Sequence, residues 1–97
     1  MMNGKETIDM MYPFITLDDE TEITHSEMRE DGTVKVYIET PDENYCFKHA
    51  TCYLPHYIWE DIYKYSDDEM DKWRELIKAN AHLIMEYSTK EGYLNVK

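Results

Sequence analysis

Basic residues are scarce in this chain: ten lysines and arginines stand against twenty-one aspartates and glutamates in 97 residues, a net charge of −11. Direct nucleic-acid binding needs a basic surface to displace phosphate counterions, so it is not expected. Anionic membrane surfaces select the same sign and are excluded with it. Glycine is scarcer still, three residues with none clustered, so no glycine-rich phosphate loop is present. Two cysteines are too few for a disulfide framework. In a cytoplasmic chain they are expected to be thiols. No apolar run approaches the ~20 residues of a membrane span. The opening MMNGKETIDMMYP has no hydrophobic signal region and carries acids, so a cytoplasmic protein of bacterial type is expected.

What is present belongs to a globular protein. Hydrophobic residues make up 42% of the chain, with nine tyrosines and two tryptophans. A chain of this length forms one small domain and buries roughly 60–70% of its unfolded surface. Residues 1–10 read as a loose extension, and residues 11–97 as a single α+β domain.

Phe14 to Leu17 is a short β-prone run, followed by the acidic turn Asp18-Asp19-Glu20. Glu22 to Met28 and Thr33 to Thr40 flank Asp31-Gly32, a dipeptide that accepts the positive φ of a tight hairpin. In the second run Val34, Val36 and Ile38 share one face, and Lys35, Tyr37 and Glu39 the other. Pro41 to Asn44 reads as a turn, and Tyr45 to Leu54 as the returning strand. His56 to Lys64 is expected to add one or two helical turns. Ser66-Asp-Asp-Glu69 matches a capping box. The helix it starts runs from Asp67 to Thr89 or Lys90, with Gly92 as its stop. Met70, Trp73, Ile77, Ile84 and Tyr87, joined by Leu76, Ala81 and Leu83, form its inward face. Tyr93 to Lys97 is an edge strand or a frayed end. The expected fold is an antiparallel meander of three to four strands with a long C-terminal amphipathic helix packed on one face.

Cys46-Phe-Lys-His49-Ala-Thr-Cys52-Tyr-Leu-Pro-His56 invites a metal reading. Zinc requires four ligands converging at ~2.0–2.3 Å. Strand geometry sends Cys46 and Cys52 to one face and His49 to the other, and separates the cysteines by roughly 20 Å at ~3.3 Å per residue. On a helix His49, Cys52 and His56 would align, but Pro55 breaks that helix. No metal or other cofactor is therefore expected. Cys46, Ala50, Cys52 and Leu54 read as a core stripe that Lys48 interrupts, placing Lys48 near a sheet edge or snorkelling outward. The other face carries Tyr45, Phe47, His49, Thr51 and Tyr53 beside Lys35, Tyr37 and Glu39. Tyrosine-rich surfaces of this kind are enriched at interfaces.

Charge concentrates between residues 18 and 31. Asp18, Asp19, Glu20, Glu22, Glu27, Glu30 and Asp31 face Arg29 alone, a local balance of −6. The segment suits a basic groove on another protein, and equally suits an edge strand kept unsticky by charge. Catalytic signals are weak. His25 with Glu27, or His82 with Glu86, offers an imidazole beside a carboxylate, but no nucleophile accompanies either.

These residues point to a small acidic protein acting by protein–protein contact on a basic, nucleic-acid-associated partner, as an antitoxin-like regulator or an inhibitor would. The expected contact residues are Asp18, Asp19, Glu20, Glu22, Glu27, Tyr37, Tyr45, Phe47, His49 and Tyr53. The alternatives are a small metal-dependent or acid–base enzyme using the His and Cys residues of 46–56, and a homo-oligomer, a homodimer being its simplest form.

Overall fold

The computed structural model describes residues 10–43 and 46–89. Five strands, β1 (Tyr12–Thr16), β2 (Glu22–His25), β3 (Val34–Pro41), β4 (Phe47–Leu54) and β5 (Ile58–Tyr63), precede one helix, α1 (Asp67–Ser88). The strands pair antiparallel in sequence order, β1-β2-β3-β4-β5. The α+β meander expected from the alternation is present, with five strands rather than three to four.

Local chemistry sets each turn. Between β1 and β2, Asp19 Oδ1 accepts from the Thr21 backbone N–H at 3.0 Å, and Glu20 takes φ 69°. Between β2 and β3, the Gly32 N–H donates to the Arg29 carbonyl at 2.9 Å with Gly32 at φ 84°, as Asp31-Gly32 requires. Pro41, expected in a turn, is instead the last residue of β3, opposite Phe47. A proline at a strand end costs little because the ladder stops there.

The fifth strand corrects the expected helical turns at His56–Lys64. Ile58 and Ile62 have helical spacing, but Ile58 lies opposite Tyr53 and Trp59 opposite Cys52. Ile, Trp and Tyr favour the pleated surface that β4 offers. Register shifts between the pairs Thr51–Glu60 and His49–Tyr63, where Asp61 takes φ 55°. That bulge adds one residue to β5 and hides the period of two.

Helix α1 begins on the capping box. The Glu69 N–H donates to Ser66 Oγ at 3.1 Å, and the Ser66 N–H donates to Glu69 Oε1 at 2.8 Å. Its buried residues are Met70, Trp73, Ile77, Ile84 and Ser88. Tyr87 and Leu83, expected inward, are 41% and 39% exposed. A step of about 100° per residue turns them off the core line toward β1, where Phe14 and Tyr87 rings lie 6.2 Å apart. Ser88 takes the inward position, its hydroxyl donating to the Ile84 carbonyl at 2.6 Å. The expected helix stop at Gly92 and the tail Tyr93–Lys97 lie outside the described residues, as do residues 1–9.

The core forms between α1 and one sheet face. Ile23, Val34, Val36, Ile38, Ala50, Cys52 and Leu54 meet Met70, Trp73, Ile77 and Ile84, all essentially inaccessible. At about 1.5–3 kcal/mol per large apolar side chain, this layer dominates the stability. Lys48 points into the same side without reaching a sheet edge, since β4 pairs with both β3 and β5. Its ammonium bonds Glu69 Oε2 at 2.7 Å. The Lys48 bond, then the Ser66 N–H, holds the Glu69 carboxyl below its usual range. A buried hydroxyl chain closes the same end: Thr21 Oγ1 to Thr40 Oγ1 at 2.6 Å, and Thr40 Oγ1 to Tyr65 at 2.7 Å. No helix among the described residues is long and apolar enough to cross a membrane.

Candidate functional site

The second face of the sheet has no helix over it among the described residues. Its side chains form three rows, read directly from the register. The central row runs Thr24, Tyr37, Thr51, Glu60 across β2 to β5. On one side lie Glu22, Glu39, His49 and Tyr63, and on the other Lys35, Tyr53 and Ile58. Phe47, opposite Pro41, extends the acidic side.

Aromatic stacking organises this face. The His49 ring lies between Tyr37, at 6.0 Å and 28°, and Tyr63, at 5.1 Å and 20°. His49 Nδ1 is 3.2 Å from the Asp61 carbonyl and 3.5 Å from its carboxylate, so the β5 bulge fixes the ring. The Arg29 guanidinium sits 5.2 Å from the Tyr53 ring centroid, a cation–π contact. These rings shield Thr51, which is buried although no element among the described residues covers it. Burial, then the carboxylates of Glu39 and Asp61, raises the Tyr37 phenol above its ordinary value. Phe47, Ile58 and Tyr63 remain 45%, 51% and 48% exposed.

The ten expected contact residues do not form one patch. Tyr37, His49, Phe47, Tyr53 and Glu22 share the open face. Glu20 joins them at a cleft of about 390 Å³ lined by Thr16, Glu20, Glu22, Glu39, Pro41 and Phe47. Glu20, Glu22 and Glu39 make no ion pair among the described residues. Asp18 and Asp19 line a different groove, against Lys72 and Leu76 of α1. Hydrogen bonding from Thr21, helped by Lys72, holds the Asp19 carboxyl below its usual range. Glu27 lies beyond the end of β2, accepting a hydrogen bond from the Tyr12 hydroxyl at 3.2 Å. Tyr45 lies outside the described residues. The acidic segment is therefore divided at the β1–β2 turn: Asp18 and Asp19 go to the helix side, Glu20 and Glu22 to the open face.

Two members of the face escape a reading of the sequence. Tyr63 and Ile58 stand on β5, where helical spacing obscures the strand. The triplet Tyr57-Ile58-Trp59, rich in β-favouring types, is the signal that marks it.

The Cys/His stretch is dispersed. Cys52 is buried on the covered face, where desolvation pushes its thiol up to about 12, while His49 is on the open face and His56 is exposed in the β4–β5 turn. Neither cysteine is in a disulfide. No group of three or more His, Cys, Asp or Glu among the described residues is arranged to hold a metal ion. His25 does not meet Glu27: its ring is buried, with Nδ1 2.8 Å from the Ser26 carbonyl and 3.1 Å from Ser88 Oγ. It ties β2 to the end of α1. His82 and Glu86 are exposed, 4.0 Å apart on the helix surface.

No family model, curated protein or solved structure matches the chain.

Proposed function

We propose that this protein is an interaction module that receives a basic segment of another protein on the open face of its sheet. The observation that carries the reading is the stacked row Tyr37–His49–Tyr63, left uncovered among the described residues on a sheet whose other face packs under α1. Rigid aromatic side chains supply contact area at low entropic cost. Glu20, Glu22 and Glu39 at one end of the face supply the sign, and a net charge of −11 steers cationic partners toward it. A regulator or inhibitor that neutralises a basic, nucleic-acid-associated protein is the biological form this reading favours. A cytoplasmic setting belongs to the same proposal and suits two cysteines that form no disulfide.

The test is calorimetric titration of the protein with an arginine-rich peptide and with an acidic peptide of matched length. Binding of the basic peptide alone is expected, weakened about tenfold by the combined change Glu22→Gln and Glu39→Gln. Tyr63→Ala should weaken it further, and Glu27→Gln should have the smallest effect because Glu27 stands off the face. Equal binding of both peptides, or binding indifferent to Tyr63, overturns the proposal.

A further inference from the structure

The three rows of the open face carry a pattern beyond their overall sign. Along β3 the outward residues are Lys35, Tyr37 and Glu39, a cation and an anion spaced equally about a tyrosine. Lys35, like Glu39, forms no ion pair among the described residues. Arg29 over Tyr53 adds a second cation at the Lys35 end, and Glu22 adds a second anion at the Glu39 end. The face is therefore bipolar along the strand direction, with aromatic and apolar side chains in both flanking rows.

A bipolar face is complementary to itself after a half-turn. We infer that a second copy of this chain occupies the open face, sheet against sheet, about a two-fold axis along the row Thr24–Tyr37–Thr51. The rotation exchanges the flanking rows. Lys35 then meets Glu39 of the second copy, Tyr53 meets His49, and Ile58 meets Tyr63, while Tyr37 meets its own equivalent on the axis. Each Lys35 is thus paired with a charge of opposite sign and each of these rings with a ring or an apolar group, while Glu60, at the end of the axis row, faces its like. Isologous contact about a two-fold axis is the commonest way a soluble chain self-associates. Face-to-face sheets pack at about 10 Å with strands crossed by roughly 30°, a spacing these side chains can span.

The edges of the sheet favour this geometry over strand-to-strand pairing. Edge strand β1 carries Pro13 and a register shift, and edge strand β5 carries the Asp61 bulge beside Glu60. Proline, bulges and charge are the devices that stop edges from pairing. The contact is modest in strength, because each copy brings a charge of −11 and Glu60 meets its own equivalent at the rim. Such a dimer rests on the same face as the proposed basic partner. It therefore competes with that partner: self-association covers the rings until a more basic surface displaces the second copy.

Sedimentation velocity over a concentration series of the full chain tests the inference. A monomer–dimer equilibrium is expected. Lys35→Glu alone and Glu39→Lys alone should each weaken dimerisation about tenfold or more, since each replaces both symmetry-related attractions by repulsions. An equimolar mixture of the two variants should restore dimers, because the all-acidic and all-basic faces then complement each other. A strictly monomeric protein, a dimer unaffected by either variant, or a mixture that stays monomeric overturns the inference. The basic-peptide titration separates the two proposals. Lys35→Glu should bind the peptide more tightly while losing the dimer, so failure of either reading leaves the other measurable.

Discussion

The two faces of this sheet are built from alternate residues of the same strands, and they do different work. The covered face holds Val34, Val36, Ile38, Ala50, Cys52 and Leu54, all inaccessible beneath α1. The face behind it holds Lys35, Tyr37, Glu39, His49, Thr51 and Tyr53, one residue out of phase. A period of two lets the first set be chosen for packing under α1 without constraining the second. On the covered face the charged side chain of Lys48 is matched by Glu69 at 2.7 Å. On the open face Glu22 and Glu39 stand directly opposite each other, and neither forms an ion pair among the described residues. One layer has settled its charges internally, and the other presents them.

The largest effect separates the faces outright. Trp73→Ala empties the centre of the covered layer, where Trp73 is 2% exposed and edge-on to Tyr65 at 5.7 Å. Urea denaturation should show a loss of about 3–5 kcal/mol. Trp73→Phe should lose far less, because it also removes the indole Nε1, a buried donor with no hydrogen-bond partner among the described residues. Tyr63→Ala on the open face should cost under about 1 kcal/mol while removing basic-peptide binding. If Tyr63→Ala matches Trp73→Ala in stability, both faces are structural and the contrast fails.

Alkaline pH probes the covered face next. Burial pushes the Cys52 thiol from 9.0, and the Tyr65 phenol from 10.0, each up to about 12. The unfolded chain therefore releases these protons first. Above pH about 9 it binds fewer protons than the folded chain, so stability falls as pH rises, until the folded groups ionise near 12. Urea midpoints should decline across that window, and Cys52→Ala should flatten the decline. A wild-type midpoint that stays level there contradicts a sealed covered face.

Smaller still is the cap whose Glu69 pairs with Lys48. Ser66→Ala should cost about 1 kcal/mol by freeing the Glu69 N–H. Acid should act on the same end of the helix. The Glu69 carboxyl is held below its ordinary value of 4.5, so its contribution is present above that value and is lost as pH falls through the lower folded value.

Much of this architecture is legible in the residues. Val34, Val36 and Ile38 announce a two-faced strand, Asp31-Gly32 its preceding hairpin, and Ser66 with Glu69 the start of the helix. These signals are local, and each satisfies its own backbone groups. Strand β5 is not legible because a bulge at Asp61 breaks its alternation, and a bulge depends on the partner strand. Tyr87 is misread because a helix of about six turns lets side chains one step off the core line look periodic. The candidate site is legible by half for a similar reason. Tyr37, Phe47, His49 and Tyr53 follow from alternation, whereas the separation of Asp18 and Asp19 from Glu20 and Glu22 depends on where a turn reverses the chain.

The smallest predicted effect tests the open face most directly, because its sign is opposite to that of an ordinary substitution. Like charges directly opposed on neighbouring strands destabilise a sheet by a few tenths to about 1 kcal/mol. Glu22 and Glu39 are such a pair, and Glu20 lines the same cleft. Glu39→Gln keeps the shape and hydrogen-bonding reach of the side chain but removes one of the repelling charges. Thermal or urea unfolding should show the variant slightly more stable than the parent, and titration with the arginine-rich peptide should show it binding less tightly. Stability gained and affinity lost in one substitution is the signature of charge held for a partner rather than for the fold. Were Glu39→Gln to destabilise the protein instead, those carboxylates would be supporting the sheet, and the open face would differ from the covered one only in being wet.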